Sequence, residues 1–276
     1  MPHEMLSALI LAIIQGLTEF LPVSSSGHLV IAESLIGARS SGEPEGIIFE
    51  VAVHVGTLGA VILVYRTKIR EVTAALISFA RAGFRSVGNQ DADVAYAGKI
   101  VIASVPAALA GMIFHGPISG AFGSPALASA MLVATGVFLL FSRFGRVRRT
   151  ELSCPIALLI GVSQAVAVMP GCSRSGWTIT AALLLGLGFE RAAEFSFLLS
   201  IPAILGALAL EMIKNPVPVE SGEIILLLVA MVTAFVSGLI ALRLLLKVLK
   251  GRYLHIFSYY LIPVGLAAVL YFTLMK

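Results

Sequence analysis

The sequence predicts an all-α, polytopic membrane protein with six spanning helices and two re-entrant helix-loop-helix hairpins in an inverted-topology repeat. Three observations predict it. Hydrophobic residues fill 58% of the 276 positions, charged ones only 12%, and mean hydropathy is +1.00; soluble domains carry about 25% charged residues. Six stretches are long enough to cross a bilayer, which takes about 20 apolar residues. Two further apolar stretches are interrupted at their centres by Pro, Ser and Gly. Non-helical backbone at membrane depth is tolerated only where it is buried in protein or lines a cavity.

Taken in order, the elements are a broken apolar stretch at 5–36 and a span at 46–66, then a charged loop at 67–94. The apolar run 72–80 within that loop is expected to be an interfacial helix. Spans follow at 95–115 and 124–143, then the second broken stretch at 153–187 and spans at 190–213, 222–246 and 254–274. Lys68, Arg70, Arg81 and Arg85, the turn Arg143-Phe-Gly-Arg-Val-Arg-Arg149, and Lys247, Lys250 and Arg252 hold most of the cations. Loops 116–123 and 214–221 hold almost none. Basic loops stay in the cytoplasm, which places both termini on the outer face. The first broken stretch then opens outward and the second inward. The N-terminus lacks a basic segment and an Ala-x-Ala site, so no cleaved leader is expected.

The two broken stretches echo each other. Ser24-Ser-Ser-Gly-His28 parallels Ser173-Arg-Ser-Gly-Trp177, each a few residues after a proline (Pro22, Pro170) and a helix carrying a glutamine (Gln15, Gln164). Each half is one hairpin plus three spans, an odd number, so the second copy enters the membrane inverted. The chain reads as one integral membrane domain, 1–276, with pseudo-repeat halves near 1–145 and 150–276. The charge of +4 suits cytoplasmic loops and not a nucleic-acid footprint. Cys154 and Cys172 have neither metal nor disulfide spacing.

The chemistry concentrates in the two interruptions. Pro170-Gly-Cys-Ser-Arg-Ser-Gly-Trp-Thr178 sets Arg174 among hydroxyls and glycines. Arginine at bilayer depth costs about 2.5–3.5 kcal/mol on insertion scales, so Arg174 is by default a functional residue. Its fork matches phosphate oxygens. Gly171, Gly176, Ser173, Ser175 and Thr178 complete a phosphate cradle. In the first interruption Gln15 and Glu19 stand four apart on one helix face. Ser24, Ser25, Ser26 and Gly27 supply hydroxyls and close backbone, and His28 can donate, relay a proton or attack phosphorus. Plainer roles compete: serines as helix caps, Glu19 pairing helices, His28 and Trp177 packing, Arg174 snorkelling, and Thr178 bonding its own helix. Glu50 and His54, also four apart, are expected to pair with each other.

Gln15-Gly-Leu-Thr-Glu-Phe-Leu-Pro-Val-Ser-Ser-Ser-Gly-His28 and Pro170 to Thr178 resemble the two signature motifs of undecaprenyl-diphosphate phosphatases, membrane enzymes associated with bacitracin resistance. Glu194-Phe-Ser-Phe-Leu-Leu-Ser-Ile-Pro202 is similar to that family as well. The resemblance implies hydrolysis of undecaprenyl diphosphate to the monophosphate and phosphate in the bacterial inner membrane, recycling the lipid carrier of cell-wall synthesis. It further implies an outward-facing site, a divalent cation and a homodimer. Carried over by position, the acidic element falls on Gln15 and Glu19, the hydroxyls on Ser24 and Ser25, the histidine on His28, and the phosphate signature on Ser173, Arg174 and Thr178. Gln15 stands where many relatives carry an acid, so Glu19 carries more of any metal site.

The residues leave the mechanism open. Glu19, with Mg²⁺ or Ca²⁺, holds the diphosphate or activates the nucleophile; His28 or Ser25 attacks, or His28 protonates the leaving lipid phosphate. The polyprenyl tail would lie among membrane lipids against apolar spans. A secondary transporter or flippase of a lipid phosphate is the competing class, because broken helices around a charged midplane also build transporters.

Overall fold

The computed structural model describes residues 2–36, 44–82, 91–148, 151–214, 223–250 and 253–274, and every element among them is helical. α1 (Pro2–Phe20) and α2 (Ser25–Ile36) form the first hairpin. α3 (Pro44–Val64) turns at Tyr65 into α4 (Arg66–Arg81), the axes of 48–64 and 66–81 differing by 83°. α5 (Asp91–Ile113), α6 (His115–Phe122) and α7 (Pro125–Leu140, with a 3-10 turn to Phe144) complete the first half of the chain. α8 (Cys154–Val166) and α9 (Arg174–Leu184) form the second hairpin. α10 (Phe189–Lys214), α11 (Ile224–Lys250) and α12 (Ser258–Leu274, preceded by a 3-10 turn from Leu254) follow.

Five of these segments are long and apolar enough to cross a membrane, and the bent α3–α4 pair makes up to six. The chain is thus a multi-pass membrane protein. Large apolar side chains such as Val101 and Ile225 lie 64% and 69% exposed on the outside, where acyl chains replace water. Two segments differ from the sequence reading. Helix begins at Arg66, not near residue 72, because the polar residues of 66–71 occupy one side of an amphipathic helix. The loop expected at 116–123 contains α6: Pro117 sits in its first turn, where a missing N–H costs nothing.

Each hairpin packs on a helix distant in the chain. α1 lies against α11, and α8 against α5; α3 also packs on α11, α10 on α5 and α9, and α7 on α12. Small residues let these backbones approach. Gly16 abuts Ala234, Ser237 and Gly238 of α11, and Gly161 abuts Ala103 of α5. In the main buried cluster Phe20 of α1 lies edge-on to Phe197 of α10, at 5.8 Å between ring centroids. A side chain at Gly16 or Gly161 would collide with facing backbone. Gly16→Val or Gly161→Val is therefore expected to cost about 1–3 kcal/mol, seen as a lower thermal midpoint in detergent. Gly111→Ala, with open space around it, should leave the midpoint in place.

Candidate active site

α1 ends at Phe20 because Pro22 follows, and the residue before proline is pushed out of the helical region. The chain turns with Val23 N–H donating to the Leu21 carbonyl at 2.7 Å. Ser24 then adopts φ +70°, a left-handed conformation uncommon for a residue with a side chain. Such strain costs roughly 1–3 kcal/mol and persists where surroundings enforce it. What Ser24 gains is a cap: its Oγ accepts the Gly27 N–H at 3.2 Å, satisfying a free donor of α2.

The second interruption is built alike. Gly171 takes φ +88°, and a Cβ there would run into the Ala128 carbonyl. Ser173 caps α9 by accepting the Gly176 N–H at 3.1 Å. In both loops the capping hydroxyl shares a hydrogen bond with the one two residues on, Ser24 with Ser26 and Ser173 with Ser175, each at 3.3 Å. The loops also hold each other. Gly171 N–H donates to Ser26 Oγ at 3.4 Å, and Ser175 Oγ donates to the Leu21 carbonyl at 3.3 Å. They touch at glycine, for a Cβ on Gly27 would lie 2.8 Å from Gly171 Cα.

Across this contact lies an ion pair. Glu19, in the last turn of α1, has a side chain 6% exposed, and Arg174 opens α9 at 15%. Arg174 Nη2 donates to Glu19 Oε1 at 2.7 Å. Glu19 Oε2 accepts Ser25 Oγ–H at 2.6 Å and Gln15 Nε2–H at 3.0 Å. His54 Nε2 lies 3.9 Å from the same oxygen. The expected pairing of His54 with the Glu50 side chain does not describe His54. Its Nδ1 donates to the Glu50 backbone carbonyl at 2.8 Å, which turns Nε2 toward Glu19. The helix carbonyl offers the nearer partner.

His28 is committed elsewhere. Its Nδ1 donates to the Ser24 carbonyl at 2.7 Å, so Nε2 carries the lone pair and accepts the Tyr260 O–H at 2.8 Å. The two rings stack at 5.7 Å. Sequence reasoning missed Tyr260, one of two adjacent tyrosines in an apolar span with nothing to mark which one turns inward. It also underweighted His54. Thr178 donates within its own helix, to the Arg174 carbonyl at 2.7 Å, and shares a hydrogen bond with Ser196 at 2.6 Å. Trp177 packs on Phe138 at 4.1 Å and donates to Thr135. Cys154 and Cys172 are free thiols.

Glu19, Gln15, Ser25, Ser26, Gly171, Ser175 and Arg174 therefore meet at one place. Two polar atoms there are buried without a hydrogen-bond partner among the described residues: Arg174 Nη1 and Gln15 Oε1. A buried guanidinium N–H left unpaired calls for an acceptor. The paired nitrogen fixes the fork, and the unpaired one is available to an anion. Among the described residues no group of three His, Cys, Asp or Glu is placed to hold a metal ion. The carboxylate of Glu19 and the unpaired Gln15 Oε1 are hard oxygen donors. They would suit a hard, magnesium-like cation.

A family described as Bacitracin resistance protein BacA matches residues 8–267. The chain is 39% identical over 278 residues to an undecaprenyl-diphosphatase of Desulforapulum autotrophicum, covering 97% of this chain and 98% of that one. It is 41% identical to an undecaprenyl-diphosphatase of Desulfatibacillum aliphaticivorans, covering 94% and 96%. To one of Korarchaeum cryptofilum it is 40% identical, covering 96% and 98%.

Removing one partner of a buried ion pair strands the other charge. Glu19→Gln is expected to destabilise the protein by about 3–5 kcal/mol, measured by unfolding in detergent. The double variant Glu19→Gln/Arg174→Gln should recover much of that loss. An additive double variant would show that the two side chains do not couple.

Proposed function

The chain belongs to the bacitracin resistance protein BacA family, and from that premise we propose that it hydrolyses undecaprenyl diphosphate to undecaprenyl phosphate and phosphate. The observation that carries the reading is Arg174, anchored to Glu19 by one nitrogen while the other is buried and unpaired. That is a guanidinium pre-oriented for one more anion, and phosphoryl transfer asks mainly for positioning and charge stabilisation.

In this reading the terminal phosphate lies on Arg174 and the N-terminal turn of α9, where the helix dipole favours negative charge. Ser25, whose O–H points at Glu19, is the nucleophile. Its Oγ forms a bond to the terminal phosphorus as the bond from phosphorus to the bridging oxygen breaks, and the proton passes to Glu19. A carboxylate held by arginine is a weak base, but a loose transition state leaves the proton late in the reaction. The leaving lipid phosphate departs as an anion, with a second pKa of about 6 for a phosphate monoester, and needs little protonation. Water then attacks the phosphoserine, its proton restoring the serine hydroxyl as phosphate leaves, and Glu19 gives up its proton to solvent. His28 is the less ready nucleophile, since its lone pair must first part from Tyr260. Mg²⁺ or Ca²⁺, held by Glu19 and Gln15, would neutralise diphosphate charge.

The architecture proposed is six spans and two re-entrant hairpins in an inverted repeat, with halves near 1–145 and 150–276. Its support is the matched capping, serine pairing and mutual contact of the two loops, and the crossed packing of α1 on α11 and α8 on α5. The distribution of cations favours both termini and the active site on the outer face of a bacterial inner membrane, and the resemblance favours a homodimer. The paired broken helices would also serve a flippase. Phosphate release by purified protein in detergent, with no gradient, separates the two.

Arg174→Ala is expected to lower phosphate release from undecaprenyl diphosphate by at least about 10²-fold, and Ser25→Ala to abolish the phosphoenzyme seen by mass spectrometry after rapid quench. Phosphoenzyme formation that survives in Ser25→Ala but not in His28→Ala would move the nucleophile to His28. A chelator should depress turnover. Gln15→Glu should lower the Mg²⁺ concentration giving half-maximal rate, because a second carboxylate binds a hard cation more tightly than an amide.

A further inference from the structure

His54 to Arg66 is twelve residues of near-continuous helix, about 18 Å at 1.5 Å per residue. The second cationic feature of the molecule thus lies well away from the active site, at the elbow where α3 turns into α4. Lys68, on α4, is neutralised: it lies 2.7 Å from Asp93 and 3.6 Å from Glu71, over the ring of Tyr96. Arg66 and Arg70 on the same helix, and Arg243 on α11, are exposed. None of the three has an ion-pair partner among the described residues.

Arg66 and Arg243, from different helices, line one concavity of about 340 Å³ together with Leu63, Val64 and Thr67. Two uncompensated guanidiniums facing one space repel unless an anion lies between them. A second, shallow hollow of about 360 Å³ shares Arg66 and is lined also by Ile62, Ile69, Arg70, Thr73 and Ile77. A charged hollow that shares Arg66 with an apolar one, beside an amphipathic helix at a sharp angle to a spanning one, suits a headgroup and its acyl chain. Basic pockets between membrane helices take anionic headgroups, and interfacial amphipathic helices add to that attraction.

We propose that the α3–α4 elbow binds an anionic phospholipid, its phosphate between Arg66 and Arg243 and an acyl chain against Ile62, Ile69 and Ile77. The apolar hollow favours a lipid over free phosphate. The two cations disfavour a zwitterionic headgroup, whose own ammonium they would repel.

The test is native mass spectrometry of protein extracted from vesicles of equimolar phosphatidylglycerol and phosphatidylcholine. The unsubstituted protein should retain phosphatidylglycerol at least about fivefold over phosphatidylcholine. Arg66→Gln/Arg243→Gln should bring the ratio near one. Lys247→Gln/Lys250→Gln, which removes the same charge from exposed positions of the same α11 end, should leave it high. Arg243→Gln alone should give an intermediate ratio and covers the case in which the double variant fails to fold. The proposal is overturned if Arg243→Gln or the double arginine variant keeps the full preference, or if the lysine variant loses as much. It is equally overturned if excess inorganic phosphate strips the lipid, which would make the hollow a free-phosphate site.

Discussion

A carboxylate and a guanidinium in an apolar interior cannot each be stable alone, and here they stand 155 residues apart on separate hairpins. Neither hairpin can settle without the other, because an unpaired buried charge costs several kcal/mol. The loop contacts follow from that requirement. Gly27 against Gly171 allows the backbones to come close enough for Arg174 to span the gap. The serine hydroxyls of both loops then absorb backbone groups that the helix ends leave free. The hairpins, the glycines and the serines are consequences of bringing one positive and one negative side chain together.

The pairing also explains how a structural bond leaves room for a ligand. A carboxylate that took both guanidinium nitrogens would close the fork. Glu19 takes one, and spends its second oxygen on Ser25 and Gln15. The unpaired Nη1 keeps a defined direction because its sister nitrogen is fixed. Glu19 likewise aims the Ser25 hydroxyl. One acid thus orients both the group that would hold phosphate and the group that would attack it, with no metal needed to set either direction.

What the sequence makes legible follows from which residues are costly. Glu19, Arg174 and the Ser/Gly interruptions stand out because apolar surroundings penalise them, and so their grouping can be read before any coordinates. The span positions follow from apolar length. Partner choice is not legible in this way. Between His28 and Tyr260 lie 232 residues, and an amphipathic tyrosine in an apolar helix is ordinary. His54 looked bound to Glu50 because four-residue spacing favours side-chain pairs. The competing partner was the backbone carbonyl of that residue, and it won. Helix α6 was hidden by its Gly and Pro content, whose penalty vanishes in a first turn.

The two loops are alike in their capping and unlike in their charges. Ser24 and Ser173 keep the same capping geometry, and Gln15 and Gln164 the same place before it. At the position of Glu19 the second half has Val168, and at that of Ser25 it has Arg174. A carboxylate in place of Arg174 would face Glu19, and each would disfavour ionisation of the other. The guanidinium there gives an ion pair instead and makes the site polar along one direction. Gln164, unlike Gln15, has no acid four residues on, and it is buried with neither amide atom bonded among the described residues. The two loops are therefore alike in the hydroxyls that cap their helices and unlike in charge, and chemistry on one phosphate requires that single sense.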